Sequence, residues 1–302
     1  TAGPGFANVY SSLCNAAADR VPVLVITSSA PLREAELNVL QDGLDQVAAA
    51  KVVAKWAHRV TTVARVPDLV ALAVRHATTG VPGPVVVDIP IDIMFKQIKE
   101  DLATTPSLVR PLAPAPSTDA IEQLVGLLSQ ARRPVILTGG GASMSSDCRT
   151  ALEALLDEVQ LPVYGVSWGL GLLDPDHPCA AGNSADLAML QFLAEPPDLV
   201  VLLGARRGMM TGSRSATMIP KTARVVQVDL DGAEAGRIDD AALAITADAT
   251  ETLRALTRVA QQLPGWRDWT TTVRGVANSH AVMYAAEPPQ SDGGLHPYWA
   301  AR

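Results

Sequence analysis

The stretch Arg133-Pro-Val-Ile-Leu-Thr-Gly-Gly-Gly141 sets a short apolar, β-branched run directly before three consecutive glycines. Such a run has the length of a buried strand, and a glycine turn lets the chain pass tightly into the next element. A stretch with helical period follows at residues 146–159. The order of strand, glycine turn and helix is typical of a βαβ unit, in which the strands pair in parallel.

The same alternation recurs on both sides of this stretch. Further strand-like runs lie at residues 23–27, 85–89, 163–166, 199–203 and 225–230. Further helical patterns lie at 68–78, 119–131 and 250–262, and Ser117 and Asp248 are predicted to cap the last two. The pattern therefore predicts an α/β fold built on a doubly wound parallel sheet.

Prolines divide the chain. Four of them crowd into residues 106–117, which predicts a linker because proline disfavours both helix and strand ladders. Residues 118–262 hold about five strand–helix repeats and predict a complete domain. Residues 1–105 show two clear strands and open on a Gly-Pro-Gly turn with no strand before it, so we expect a partial domain there. The tail, 263–302, is interpreted as a second linker.

Composition excludes several classes of function. The 302 residues include 24 basic and 31 acidic side chains, with no basic cluster, so we expect neither a nucleic-acid partner nor a membrane partner. The cysteines, Cys14, Cys148 and Cys179, form no CxxC pair or disulfide framework, which favours a reducing, cytoplasmic compartment. No metal-binding Cys/His spacing, Walker A loop or nucleophile elbow is present, so no metal ligands are predicted within the chain.

Two glycine-containing turns are candidates for ligand contact. Gly3, Pro4 and Gly5, followed by Asn8, begin a helix-forming stretch, where backbone N–H groups can meet a ligand. Equally, such a turn can join a strand to a helix with no ligand. The glycines at 139, 140 and 141 stand where nucleotides bind in doubly wound domains, but they do not complete the GxGxxG spacing, and a packing turn explains them as well.

Two further features follow strands of the second domain. Arg206 comes shortly after the strand at 199–203, and Asp229 and Asp231 end the strand at 225–230. Such carboxylates can hold ribose hydroxyls or can cap a helix starting near Ala233. Separately, His58 in the amphipathic cluster 55–59 is interpreted as a surface histidine rather than a titrating catalytic group.

Ordered motifs across residues 1–262 resemble those of acetolactate-synthase-like enzymes that use thiamine diphosphate (thiamine pyrophosphate, TPP). They are TAGPGFAN at 1–8, LQDGLDQ at 40–46, KWAHR at 55–59, GPVVVDIP at 83–90, RPVIL at 133–137, GAR at 204–206 and QVDLD at 227–231. Within the family, 40–43, 55–59 and 210–212 look nearest to the benzaldehyde lyase branch. His296 and Pro297 also resemble the entry to the family's last domain.

The resemblance implies a TPP-dependent enzyme that breaks or forms carbon–carbon bonds next to a carbonyl group of a small molecule. It places residues 1–105 in the pyrimidine-binding domain, with Gly3, Pro4, Gly5 and Asn8 at the cofactor. It gives Gln41 a hydrogen-bonding or proton-relay role at the reaction centre. The family's activating glutamate and its Mg²⁺ motif are not in these residues, so we expect an internal fragment, inactive alone, of a homodimer or homotetramer that binds TPP and Mg²⁺.

The resemblance also bears on the second domain, which holds FAD or ADP in some members of the family. Here Arg206-Arg-Gly-Met-Met stands in place of the flavin-associated Arg-Phe-Asp-Asp-Arg segment. We therefore expect little or no FAD binding, and a vestigial or nucleotide-free site. The alternative is a stand-alone Rossmann-like nucleotide-binding or scaffold module without catalysis.

Overall fold

The computed structural model of the protein describes residues 2–37, 41, 43–99, 106 and 111–285. Over these residues the chain is an α/β protein with two parallel sheets, as the strand and helix pattern predicts. It divides into two compact units, Thr1–Leu112 (unit 1) and Ala113–Arg302 (unit 2). The division falls within the proline-rich segment 106–117.

Unit 1 contains a three-stranded parallel sheet in the order β1-β3-β2. Its elements are α1 (Pro4–Asp19), β1 (Leu24–Ser29), α2 (Gln46–Lys51), β2 (Trp56–Arg59), α3 (Val66–Thr78), β3 (Val85–Pro90) and α4 (Ile91–Met94). The central strand β3 is buried along its whole length, as its apolar run predicts. Leu69 and Ala73 of α3 cover one face of the sheet, while Phe6, Leu13 and Ala50 of α1 and α2 cover the other.

Strand β2 is an addition to the two strands predicted in this part of the chain. It lies inside the cluster 55–59, whose Lys, His and Arg side chains read as a polar surface. In the structure β2 is an outer strand that pairs with β3 from Trp56↔Val85 to Arg59↔Asp88. Because only Ala57 of its residues is buried, the strand lacks the apolar run that marks its central neighbour.

Unit 2 contains a six-stranded parallel sheet in the order β6-β5-β4-β7-β8-β9. Its strands are β4 (Pro134–Thr138), β5 (Val163–Gly165), β6 (Ala180–Asn183), β7 (Leu199–Leu203), β8 (Arg224–Asp229) and β9 (Leu243–Thr246). Its helices are α5 (Thr118–Gln130), α6 (Gly140–Met144), α7 (Cys148–Val159), α8 (Ser184–Leu193), α9 (Ala249–Thr257) and α10 (Arg267–Ala285). Counted from β4, this is the order 3-2-1-4-5-6 of dinucleotide-binding sheets. The strand order therefore reverses between β4 and β7.

Helices cover both faces of this sheet. On one face α5, α7 and α9 pack through residues such as Leu124, Leu152 and Leu253. On the other, α8 and α10 pack through Leu187 and Val273. The predicted caps are confirmed: the side chain of Ser117 accepts from the backbone of α5, and that of Asp248 from the backbone of α9.

Helix α10 differs from the linker predicted at 263–302. Its entry residue Trp266 is buried and donates from Nε1 to the Ala131 carbonyl at 3.1 Å. Val273 and Val276 are buried against the sheet, so the described part of the segment belongs to the core of unit 2. The many Thr, Arg and Asn residues of α10 hide this apolar stripe in the sequence. Residues 286–302, the rest of the predicted linker with His296 and Pro297, lie outside the described residues.

In the part of the chain that the structure describes, no helix combines the length and the apolar character needed to cross a membrane.

Candidate functional site

The turn at Gly3 leads into α1 and requires a glycine. Gly3 caps the helix with φ 56°, in the left-handed region, and a Cβ at this position would lie 2.5 Å from the carbonyl oxygen of Gln41. Pro4 occupies the first turn of the helix, where its missing N–H has no intrahelical acceptor in any case. The turn is therefore fixed by local geometry and by a contact with a distant part of the chain.

That distant residue is Gln41, the predicted catalytic residue. It lies in an exposed turn with φ 61°, and its backbone is close enough to Gly3 to exclude a side chain there. Pro4 and Asn8 are exposed and stand four residues apart, on one face of α1. The structure thus brings Gln41 to the predicted cofactor-binding turn, although their roles toward a ligand stay predictions.

Gln46 is a site residue that the sequence analysis did not identify. Its side chain is buried, and Oε1 accepts the N–H of Gly3 at 2.5 Å. Its Nε2 donates to the Ser28 carbonyl at 3.0 Å and to Oδ1 of Asp88 at 3.2 Å. One amide therefore ties the Gly3 turn to the carboxyl ends of β1 and β3.

Asp88 and Arg59 form an ion pair at the same edge of the sheet. Oδ2 of Asp88 accepts from Nε of Arg59 at 2.7 Å, and the carboxylate is fully buried. Arg59 also lies 3.6 Å from the carboxylate of Asp45, which caps α2 immediately before Gln46. The signal in the sequence was a charged residue inside the apolar run of β3, since a buried carboxylate requires a partner.

A further polar group lies at this edge of unit 1, and the predicted surface histidine lies within the neighbouring strand β2. The hydroxyl of Ser29, the last residue of β1, is buried and has no hydrogen-bond partner among the residues that the structure describes. His58 is exposed, as expected, and stacks on Trp56 with ring centroids 5.5 Å apart. The polar groups of unit 1 thus collect where its parallel strands end, which is the usual place for a ligand in such sheets.

The predicted glycine loop of unit 2 lies at the reversal point between β4 and β7. The N–H of Gly141 donates to the Gly204 carbonyl at 2.9 Å, so the turns after the two strands pack on each other. A Cβ on Gly139 would lie 2.5 Å from that carbonyl, and a Cβ on Gly204 would lie 2.2 Å from the nitrogen of Ala142. This backbone packing explains why glycines are needed here. It agrees with the packing turn, which was one of the two interpretations of these glycines in the sequence.

Near the same edge, the arginines after β7 have different surroundings. Arg206, the predicted site residue, is exposed, whereas its neighbour Arg207 is buried and forms an ion pair with Asp239. Met209 and Met210 are both exposed. Gly140, the remaining residue of the glycine loop, faces the exposed Trp168, whose Cβ would lie 3.3 Å from a Cβ at 140.

Asp229 is the last residue of β8, Asp231 follows the strand, and both carboxylates hold a turn. Oδ1 of Asp229 accepts the N–H of Asp231 at 2.9 Å, and Oδ1 of Asp231 accepts the N–H of Ala233 at 3.0 Å. The helix expected near Ala233 is not formed, because Gly236 adopts φ 73° and the segment turns instead. Since β4, β7 and β8 are adjacent and parallel, these carboxylates share one edge with the glycine turns.

The thiols of unit 2 are poor candidates for nucleophiles. Burial raises the pKa of Cys148 to about 11 and that of Cys179 to about 11, so both stay protonated at neutral pH. Among the residues that the structure describes, no three His, Cys, Asp or Glu side chains are grouped to hold a metal ion. The polar edge of unit 1 and the glycine edge of unit 2 are the two candidate sites.

Comparison with known proteins matches both units to one family. Residues 121–256 match the model described as "Thiamine pyrophosphate enzyme, central domain", and residues 1–49 match "Thiamine pyrophosphate enzyme, N-terminal TPP binding domain". The second match contains Gly3, Gln41 and Gln46. The first match contains the glycine edge of unit 2, whereas Arg59 and Asp88 of the unit 1 edge lie outside both matches.

Curated relatives agree with these matches. A "Glyoxylate carboligase" of Escherichia coli O157:H7 is 32% identical over 284 residues, 89% of this chain and 46% of the relative. An "Acetolactate synthase isozyme 1 large subunit" of Escherichia coli K12 is 28% identical over 87% of this chain and 46% of the relative. A "Probable 2-ketoarginine decarboxylase" of Pseudomonas aeruginosa is 30% identical over 95% of this chain and 50% of the relative. The chain spans about half the length of these relatives.

Proposed function

Since the chain carries the central domain and part of the N-terminal domain of thiamine pyrophosphate enzymes, we propose that it serves an enzyme that breaks or forms a carbon–carbon bond next to a carbonyl. The cofactor is TPP, bound together with Mg²⁺. The substrates are 2-keto acids or 2-hydroxy ketones, a class supported by the names of the relatives.

One observation carries this proposal. Gly3 and Gln41, which are 38 positions apart, meet so closely that a Cβ on Gly3 would lie 2.5 Å from the Gln41 carbonyl oxygen, inside the region that matches the TPP binding domain. Pro4 and Asn8 are exposed beside them. The missing side chain at position 3 makes room for the Gln41 backbone, so the exposed groups of Pro4 and Asn8 are the ones that a ligand can reach beside this contact.

The residues of this turn suit the pyrimidine side of TPP. Gly3, Pro4, Gly5 and Asn8 would hold the ring, with the exposed Asn8 amide as the donor and acceptor. TPP, when bound, supplies the electron sink that lets the bond next to the carbonyl break. Gln41 would hydrogen-bond to the reacting carbonyl or pass a proton along, because an amide can donate and accept but is not a nucleophile.

Finer assignments belong to the same proposal. The motifs at 40–43, 55–59 and 210–212 support a place near the benzaldehyde lyase branch. The net charge of −7 supports the absence of a nucleic-acid partner, and the widely spaced cysteines support a cytoplasmic location. The homodimer or homotetramer is proposed from the resemblance to the family. We propose that the site of unit 2 holds little or no FAD, with ADP as the other ligand to test.

The proposal is tested on the whole natural reading frame that contains these residues. The purified protein is assayed with pyruvate, glyoxylate and benzaldehyde-derived 2-hydroxy ketones, with and without TPP and Mg²⁺. We expect at least one of these substrates to turn over, with a rate that falls at least about a hundredfold when TPP is removed. Turnover that is indifferent to TPP, or no saturable TPP binding up to about 1 mM, would reject the proposal.

A second candidate function follows from the strand order of unit 2. The order 3-2-1-4-5-6 is that of dinucleotide-binding sheets, so a nucleotide-binding or scaffold module without catalysis would also use this domain. Tight binding of NAD, without a response to TPP, would favour that candidate.

A further inference from the structure

A continuous path of polar contacts runs from the half-buried Arg59 to the buried Gly3 turn. Arg59 donates to Asp88, Asp88 accepts from the amide of Gln46, and Gln46 accepts from the N–H of Gly3. Asp88 is fully buried and Gln46 nearly so, at 1% exposure. The path connects the end of β2, through β3, to the first turn of α1.

The direction of the Gln46 amide is set by its neighbours. Its NH₂ group faces two acceptors, the Ser28 carbonyl and the Asp88 carboxylate, which leaves its oxygen to face the N–H of Gly3. A reversed amide would set NH₂ against the Gly3 donor and its oxygen against two other oxygens. The buried carboxylate therefore fixes which end of Gln46 meets the turn.

The N–H of Gly3 depends on this partner. The first N–H groups of a helix have no acceptor within the helix, and here the acceptor comes from Gln46, 43 positions along the chain. Because the Gln41 carbonyl oxygen lies only 2.5 Å from where a Cβ of Gly3 would be, a shift of the turn changes its packing against the proposed catalytic residue. By holding the Gly3 N–H, Gln46 thus also fixes how the Gly3 turn packs against Gln41.

We infer that Gln46 is a positioning residue for the turn that faces TPP, and that the Arg59–Asp88 pair orients it. The inference rests on the proposed function only for the identity of the ligand. Arg59 reinforces the arrangement from a second side, since it also lies 3.6 Å from Asp45, the capping residue directly before Gln46. Arg59 makes no hydrogen bond to Gly3 and acts through Asp88 and Gln46.

The test follows the Gly3 amide in the 302-residue chain by NMR. Alanine labelled with ¹³C at the carbonyl and glycine labelled with ¹⁵N select the three Ala–Gly pairs, which report Gly3, Gly182 and Gly236. Gln46→Met keeps the side-chain volume and removes both hydrogen-bonding ends. We expect exchange of the Gly3 N–H with solvent to become at least about tenfold faster, with Gly182 and Gly236 unchanged. Gln97→Met, at an exposed glutamine of the same unit, is the matched control.

Variants of Arg59 separate positioning from a local hydrogen bond. Arg59→Lys keeps a cation beside Asp88 and should preserve Gly3 protection to within about threefold, whereas Arg59→Met should lose about tenfold or more. Equal protection in both variants would overturn the role of the ion pair. The exchange rate of the Gly3 N–H in the wild-type protein is a further test, and it does not require any variant to fold. If this N–H exchanges as fast as in an unstructured peptide, the inference is wrong.

The whole natural protein links this contact to the ligand. Gln46→Met should raise the TPP concentration for half-maximal activity by about tenfold and leave KM for the carbonyl substrate within about twofold. An unchanged TPP requirement would overturn the positioning role. If Gly3 responds to these variants but the protein does not use TPP, the proposed function fails while the hydrogen-bonded path stands, so the two failures are distinct.

Discussion

At the scale of single residues, glycine is required where two backbone segments meet. Gly204 has φ 54°, and a Cβ there would lie 2.2 Å from the nitrogen of Ala142 and 2.6 Å from the carbonyl carbon of Gly141. These neighbours are backbone atoms, which cannot rotate away as a side chain does. The packing at the reversal point of the unit 2 sheet therefore requires glycine at position 204, as it does at position 139.

Gly204→Ala should destabilise unit 2, by roughly 2–4 kcal/mol, since it adds both backbone strain and a steric overlap. Gly126→Ala is the matched control, because position 126 lies inside α5 and a Cβ there has open space. It should stabilise the unit by roughly 0.5–1 kcal/mol, the helix preference of alanine over glycine. Urea unfolding followed by circular dichroism measures both; equal effects would show that the turns do not pack as described.

Gln41 is the residue on which the proposed chemistry depends. Gln41→Ala in the whole natural protein should lower kcat by roughly ten- to a thousandfold, because a hydrogen-bonding or proton-relay group at the reaction centre is lost. Fold and TPP affinity should stay nearly unchanged, since the side chain is exposed. Steady-state kinetics with the substrate that turns over makes the measurement, with Gln97→Ala as the control. Unchanged kcat would remove Gln41 from the mechanism.

Sequence reasoning reached some of these residues and missed others for physical reasons. The motif at 1–8 pointed to Gly3, and the one at 40–46 to Gln41, because each lies in a short, ordered pattern. Gln46 lies inside the second motif, yet its partners are brought together only by the sheet. Likewise, Arg206 and Arg207 look alike in sequence, and only the fold decides which one is buried.

At the scale of elements, the carboxylate of Asp92 joins α4 to the 3-10 turn at Leu32–Glu34. It accepts the N–H of Leu32 at 2.8 Å and that of Arg33 at 3.4 Å. Partial burial alone would raise the pKa of Asp92, but these backbone hydrogen bonds and the charge of Arg33 outweigh it and lower the pKa. The ionised form is therefore favoured in the folded protein.

A lowered pKa in the folded state gives a signed dependence on pH. Ionised Asp92 should stabilise unit 1 above its unfolded pKa of ~3.9, and this contribution should vanish as pH falls through the lower folded value. Asp92→Asn should therefore cost stability at pH 7, by at most about 1 kcal/mol because the site is partly solvated, and little near pH 3. Urea unfolding followed through fluorine-labelled Trp56, the one tryptophan in residues 1–112, reports unit 1.

Glu36→Gln, at an exposed residue of the same unit, is the control for this pH series. It should change stability little at either pH. A cost for Asp92→Asn that is equal at pH 7 and pH 3 would contradict the assigned role of the carboxylate.

The structure of the sheet edge of unit 2 leads to a prediction about nucleotide binding by this domain. Its strand order suits a dinucleotide, but the turns at 139–141 and 204 pack on each other, and Met209 and Met210 stand in the segment after β7. Thermal-shift and fluorescence titrations with FAD, ADP and NAD should show FAD binding weakly or not at all. A protein that is yellow as purified would contradict this expectation.

Strands and helices that are buried along their length were easier to predict from the sequence than those that are largely exposed. Apolar runs of central strands, such as β3 and β7, are recognisable because both faces are covered. The outer strands β2, β6 and β9 are four residues long and bury only one residue each, so they lack the continuous buried run of a central strand and were not found. Helix α10 was missed because its buried Val273 and Val276 are separated by Arg274 and Gly275 and follow three consecutive threonines.

At the scale of the whole molecule, the two units differ in the residues that lie at the carboxyl ends of their parallel strands. Unit 1 gathers Gly3, Gln41 and the buried path through Gln46, whereas unit 2 gathers interlocked glycine turns. Both match thiamine pyrophosphate enzymes, and the chain spans about half the length of the curated relatives. The central claim is that TPP meets the chain at the turn of unit 1.

Hydrogen–deuterium exchange of the whole natural protein, with and without TPP and Mg²⁺, tests that claim directly. TPP should slow exchange in peptides that cover residues 2–8 and 41–46, by at least about tenfold, because the ligand and the tightened turn restrict local opening. Peptides that cover 139–141 and 204–208 should exchange unchanged and act as the internal control. Protection confined to those unit 2 peptides, with none at residues 2–8, would contradict the account.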